Sequence, residues 1–179
     1  MPKNFLFWVD AAAYPLIALW VASQVAWGWG AVALVLAGLV LFTLAEYWVH
    51  RSVLHVWTHH VAHGRHHAHP EEYTVLWSVP LIFLVLWLVA PAPLFLGFTL
   101  MYVWFYMWHH LLHHVDLARL PLVRRYASWH LVHHRHTRYN FGITSPVWDL
   151  VFGTYRAGES VWGSTLVMPS SVTLLVSED

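Results

Sequence analysis

The sequence contains no cysteine. Disulfides, thiolate zinc sites and cysteine nucleophiles are therefore all excluded. Charge is almost as scarce: Asp, Glu, Lys and Arg make up 10% of the 179 residues, against about a quarter in an ordinary soluble domain. Nine basic and nine acidic residues cancel, so the charge balance gives no hint of a nucleic-acid partner. The N-terminal stretch MPKNFLFWVDAAAYPL lacks a cationic n-region followed by an h-region and a cleavage site, and reads as retained sequence rather than a signal peptide. What is abundant is apolar. The chain is 59% hydrophobic, with thirteen Trp, eight Tyr and nine Phe, an aromatic load suited to a lipid–water boundary.

Four apolar stretches stand out, at about 11–27, 30–49, 74–90 and 93–112. Each approaches the length of about 20 residues that a helix needs to cross a hydrocarbon core. Short uncharged joints, Trp27-Gly28-Trp29-Gly30 and Pro91-Ala92-Pro93, pair them. The expected fold is all-α and integral to the membrane, a single domain over 1–179 with four transmembrane helices in two hairpins. Every Lys and Arg (Lys3, Arg51, Arg65, Arg119, Arg124, Arg125, Arg135, Arg138 and Arg156) falls away from those joints. The positive-inside rule then puts both termini on the cytoplasmic face, of a bacterial inner membrane or of the endoplasmic reticulum. A His-rich helical cap is expected over about 50–73 and 113–160, with breaks at Pro70 and Pro121. The tail, 161–179, does not suit a fifth span.

All sixteen histidines lie between His50 and His136. "HGRHH" at 63–67 and "HLVHH" at 130–134 share one spelling, and "HHLLHH" at 109–114 holds two equivalent i, i+4 pairs, His109/His113 and His110/His114. On a helix, i, i+3 and i+4 fall within an arc of about 100°, so each HxxHH is expected to aim three imidazoles at one spot. His50 and His55 are about 140° apart on an ideal α-helix, and converging them needs a helix end or a bulge. Imidazole without thiolate suits Fe, Zn, Cu or Ni. One ion takes four to six ligands, so eight or more converging histidines imply two metals. His60, His69 and His136 read as ordinary polar residues. Ligating histidines normally pass their second N–H to a carboxylate or carbonyl, which makes Glu46, Glu72, Asp116 and Asp149 candidate partners.

These motifs resemble the fatty acid hydroxylase/sterol desaturase superfamily of membrane di-iron enzymes, and within it the fatty acid 2-hydroxylase branch. "HHVAHGRHHAHPEE" at 59–72, "HHLLHH" at 109–114 and "WHLVHHRHTRYNFGITSPVWDLVFGTY" at 129–155 carry the resemblance, over about 46–156. It implies ten metal ligands: His50, His55, His63, His66, His67, His109, His113, His130, His133 and His134. The family's third motif selects His109 and His113, which leaves His110 and His114, with His59, as supporting residues. It also implies two Fe, which zinc can replace in purified protein, together with O2 and a lipid acyl chain entering from the bilayer. No residue beyond the ligands is expected to act catalytically. No cytochrome b5 domain is fused, so a separate carrier, cytochrome b5-like or a ferredoxin with its reductase, would bring electrons. Two departures stand out: the gap between His55 and His63 is shorter than in the eukaryotic 2-hydroxylases, and Glu72 stands where they have Asp. A carotenoid or sterol-type hydroxylase is the alternative enzyme reading. A metal transporter would need ionisable residues in mid-span, and only Asp10 and Glu46, near span ends, are present.

Overall fold

A computed structural model describes residues 5–57, 63–70, 78–115 and 121–157. Among these residues there are helices and no strands. The helices are α1 (Phe5–Gln24), α2 (Trp29–Trp48), α3 (His63–Ala68), α4 (Ser78–Val89), α5 (Ala92–His114), α6 (Pro121–Arg135) and α7 (Val147–Val151). A π-helical segment, Val49–Trp57, runs on directly from α2. The cap therefore does not begin with a separate short helix, as expected, but with an extension of the second apolar helix. Pro70 follows the end of α3, and Pro121 opens α6 at its first position, where a missing N–H costs nothing.

α5 is the centre of the packing. Phe95, Leu96, Phe98, Tyr102 and Tyr106 are buried against Phe7, Tyr14 and Ala18 of α1, Phe42 of α2 and Phe83 of α4. The α2–α5 seam is closed by two glycines. A Cβ on Gly38 would stand 2.1 Å from the Leu94 carbonyl oxygen, and one on Gly97 would stand 2.0 Å from that of Val35. Small residues of this kind let helix backbones meet where lipid supplies no hydrophobic drive.

The outward faces are apolar too. Leu16, Leu19 and Trp20 of α1, Leu36 and Val40 of α2, and Leu81, Leu84 and Leu88 of α4 are all exposed. Helices apolar all round suit a hydrocarbon surrounding. Two helical runs, Phe5–Gln24 and Trp29–Val56, are long and apolar enough to cross a membrane. The described part of α4 is apolar but spans only 12 residues, and α5, at 23 residues, ends in histidines.

Candidate metal centre

The π-helical segment resolves the His50/His55 mismatch. Its i→i+5 hydrogen bonding stacks residues five apart, so both imidazoles leave one face, with ring centroids 5.1 Å apart. On α3, α5 and α6 ordinary α-helical i, i+4 spacing does the same for His63/His67, His109/His113 and His130/His134.

The ten histidines fall into two groups of five. His50, His55, His63, His67 and His133 make one, and His66, His109, His113, His130 and His134 make the other; within each group the ring nitrogens lie within 4.8 Å of one another. The HxxHH motifs do not aim all three rings at one spot, as their arc alone suggested. Each gives its i, i+4 pair to one group and its i+3 ring to the other, so that His66 and His133 cross over. The two groups adjoin, with the His67 and His134 rings 4.4 Å apart. His110 and His114 belong to neither group: they stack on each other at 4.2 Å, and His110 lies 3.9 Å from Phe7 of α1. His69 and His136 are exposed and outside both groups. His59, Glu72 and Asp116 lie outside the described residues.

Nitrogen spacing tests whether a metal fits. His63 Nε2 lies 2.9 Å from His50 Nε2 and 3.0 Å from both His55 Nε2 and His67 Nε2. A neutral imidazole nitrogen offers one proton or one lone pair, so hydrogen bonding cannot satisfy all three neighbours. In the second group, His113 Nε2 is 3.0 Å from His109 Nε2 and from His130 Nε2, which is 3.1 Å from His134 Nε2. His66 Nε2 is buried with no hydrogen-bond partner among the described residues. A metal–imidazole bond of about 2.1 Å puts neighbouring nitrogens about 3.0 Å apart when they subtend a right angle. The residues fit a metal in each group. Burial holds the rings in the neutral form that ligates: it pushes His66 down to about 4, and lowers His63, His130, His133 and His134, with neighbouring histidines adding to the effect.

The "NFGITSPVWD" loop holds the first group in place through its backbone. His50 Nδ1 pairs with the Phe141 carbonyl, and His133 Nδ1 with the Tyr139 carbonyl at 2.7 Å, each able to fix a ring's orientation. Asn140, between them, adopts a left-handed φ of 56°, a conformation asparagine tolerates better than most residues. Its side chain donates to the Trp129 and Arg156 carbonyls and accepts from the Arg156 N–H. Glu46 and Asp149 do not reach the histidines directly. Asp149, fully buried, accepts from the backbone N–H groups of Phe141 and Gly142, both at 2.8 Å, and from the Thr154 hydroxyl. Glu46 accepts from Ile143 N–H, Thr144 N–H and the Thr144 hydroxyl. Both carboxylates hold the loop whose carbonyls hold the rings. The sequence offered Glu46 and Asp149 as direct partners of the rings; that contact is made instead by the Phe141 and Tyr139 carbonyls, which have no side-chain signature.

Asp149→Asn turns one acceptor into a donor facing a backbone N–H. It is expected to cost about 1–3 kcal/mol and to weaken metal binding about 10–100-fold. Thermal unfolding and metal titration of the same preparation measure the two effects.

A cavity of about 380 Å³ runs up to the histidines. Phe42, Phe83, Phe98 and Tyr102 line its apolar part, and His50, His63, His66, His109 and His113 line the part at the metal groups. It falls within the range of small-ligand sites.

The fatty acid hydroxylase family profile matches residues 35–154. The chain is 33% identical over 144 residues to the dihydroceramide fatty acyl 2-hydroxylase FAH1 of Arabidopsis thaliana, covering 69% of this chain and 60% of that one. It is 34% identical over 142 residues to the ceramide very long chain fatty acid hydroxylase SCS7 of Saccharomyces cerevisiae, covering 66% of this chain and 36% of that one. The chain thus spans only part of each curated relative. A solved structure of full-length scs7p, with only its hydroxylase domain visible, superposes with a TM-score of 0.72 at 28% identity, over 88% of this chain and 72% of that one.

Proposed function

Since the chain belongs to the fatty acid hydroxylase family, we propose that it hydroxylates a C–H bond of a lipid acyl chain, using O2 and two electrons. One observation carries this reading: histidines of both five-imidazole groups line a single cavity whose remaining lining is largely apolar. The ten grouped histidines are the proposed ligands, five to each of two irons. Bound iron would supply the activation of O2 and the abstraction of hydrogen from an unactivated carbon, hard chemistry that belongs to the metals.

The protein's share is positioning. Phe42, Phe83 and Phe98 take the apolar chain and exclude water from it. The Phe141 and Tyr139 carbonyls hold the His50 and His133 rings by their Nδ1–H groups, leaving Nε2 free to ligate. An all-imidazole set adds no negative charge, so bound ions would keep their full charge.

The wider arrangement follows. The proposed domain is 1–179, with four spans in two hairpins, cap and termini on the cytoplasmic side, and a multi-pass place in a bacterial inner membrane or the endoplasmic reticulum. Two apolar runs and the position of the basic residues support this. Substrate enters laterally from the bilayer, and electrons come from a separate carrier, cytochrome b5-like or a ferredoxin with its reductase. The relatives' names, which specify ceramide and dihydroceramide acyl chains, favour an acyl over a carotenoid or sterol substrate.

Lipid profiling of cells expressing the wild type and the His133→Ala variant tests the proposal. The expected result is acyl chains heavier by one oxygen atom in wild-type cells alone. An unchanged lipidome with altered iron or zinc flux would sink it.

A further inference from the structure

The cavity has a floor. On each of the four helices around it, the lining residue farthest along the helix from the histidine end is aromatic: Tyr14 on α1, Phe42 on α2, Phe83 on α4 and Phe98 on α5. We propose that these four rings stop the methyl end of the acyl chain and so set the longest chain accepted, an assignment that rests on reading this cavity as the acyl site.

The rings form one connected layer. Between ring centroids, Phe83 lies 4.8 Å from Tyr14 and 5.7 Å from Phe98, and Phe98 lies 5.1 Å from Phe42. Tyr102, one turn above Phe98, packs edge-on against Tyr14 and Phe83 at 4.5 and 4.9 Å. Tilted and edge-to-face contacts at such distances are the favourable ones between aromatic rings, so the layer resists being pushed apart. All five residues are at most 8% exposed. Beneath the layer the helices close on each other. Phe95 packs on Phe83 and Trp87. Gly38, one turn past Phe42, lies so near α5 that an added Cβ would stand 2.1 Å from the Leu94 carbonyl oxygen and 2.8 Å from the Phe98 nitrogen. Backbones in contact leave no width for an acyl chain between them.

Backbone spacing gives the depth. Phe98 and His109 are eleven residues apart on α5, and Phe42 and His50 are eight apart on the run that continues from α2. At 1.5 Å per residue the floor lies about 12–16 Å below the metal groups, room for about nine to thirteen methylenes of an extended chain. The charged and imidazole lining, Asp10, Glu46 and the histidines, stands on the other side of the rings. A lipid's polar end therefore stays at the histidines, because burying it on the phenylalanines would strip its hydrogen bonds, and the methyl end meets the floor. The limit falls on the number of carbons beyond the one offered to the metals. SCS7 is named for very long chain fatty acids; a floor at this depth selects shorter ones.

Equilibrium binding of saturated fatty acid methyl esters to the metal-loaded full chain in lipid nanodiscs tests this. A methylene that moves from bilayer to cavity exchanges hydrocarbon for hydrocarbon, so wild type is expected to bind methyl laurate and methyl myristate alike. Methyl stearate and methyl lignocerate must buckle or force the rings apart, and are expected to bind about ten-fold more weakly or worse. Phe98→Ala deepens the cavity and is expected to recover about ten-fold for methyl stearate. Ala45→Leu fills the cavity one turn above Phe42, and is expected to weaken methyl myristate about ten-fold while leaving methyl caprylate unchanged. Unchanged metal content shows that each variant has assembled; should Phe98→Ala lose metal, Ala45→Leu decides alone. Methyl lignocerate bound by wild type as tightly as methyl myristate, or a length limit unmoved in the assembled variants, would overturn the assignment. Failure of every ester to bind would refute the acyl reading of the cavity and the role of its floor together. A limit that shifts as expected in a chain that hydroxylates none of the esters would refute the proposed oxidation and leave the floor standing.

Discussion

Gly97→Ala is expected to disrupt the assembled protein more than the loss of any one histidine. The added methyl would meet the Val35 carbonyl oxygen at 2.0 Å and the Val35 Cα at 3.0 Å. Both are backbone, so no side chain can swing aside, and α2 and α5 must separate by more than an ångström to reach an ordinary contact of about 3.5 Å. That movement opens the contacts of Phe42 with Phe98 and Tyr102. It also shifts His50 and His55, which follow from α2, against His109 and His113 on α5. The expected cost is about 3 kcal/mol or more, at the upper end of overpacking effects, with metal lost from both groups. Near-ultraviolet circular dichroism and metal analysis of the purified variant measure it. Gly38→Ala acts on the same seam, against the Leu94 carbonyl, so the two effects will not add independently. Gly28→Ala and Gly30→Ala are the controls: nothing lies within 4 Å of either added methyl, and both should fold as wild type.

The second large effect separates the look-alike histidines. His63→Ala removes the ring whose Nε2 lies about 3 Å from those of His50, His55 and His67. Metal content is expected to fall from about two ions per chain to about one, because the second group keeps all five of its rings. His113→Ala should lose the ion of the other group in the same way. His114→Ala, one residue further along, should keep both ions, since that ring stands outside both groups and stacks on His110. Metal analysis of the three variants after identical loading decides this. Equal metal loss in His114→Ala and His113→Ala would contradict the grouping.

Much of this arrangement was legible in the residues. The apolar runs at 30–49 and 93–112 mark α2 and α5 within a few residues, because a long uninterrupted apolar stretch is a strong signal, whereas α1 starts at Phe5, well before the run expected from residue 11. The ten histidines picked out by spacing and by resemblance are the ten brought into two groups, His109 and His113 among them. What the spacing did not reveal is the division of labour inside each HxxHH. An arc of about 100° is narrow enough to look like one target, yet two targets less than a helix diameter apart divide it, and that depends on where α3 and α6 sit relative to each other. The π-helical run was visible only as a conflict, with His50 and His55 too far apart for an ideal helix. The loop carbonyls of Tyr139 and Phe141 and the Gly38/Gly97 contact left no trace in composition. Backbone groups are identical along the chain, and a glycine's role depends on what packs against it.

The proposed reaction inserts oxygen from O2 into an acyl chain beside the two five-imidazole groups. Turnover of the iron-loaded protein with a reducing system, under isotopically heavy dioxygen in ordinary water, tests it most directly. One heavy oxygen atom is expected in the hydroxyl of the acyl product, and none with His63→Ala. A product hydroxyl carrying oxygen from water, or labelling that persists in the His63→Ala protein, would contradict it.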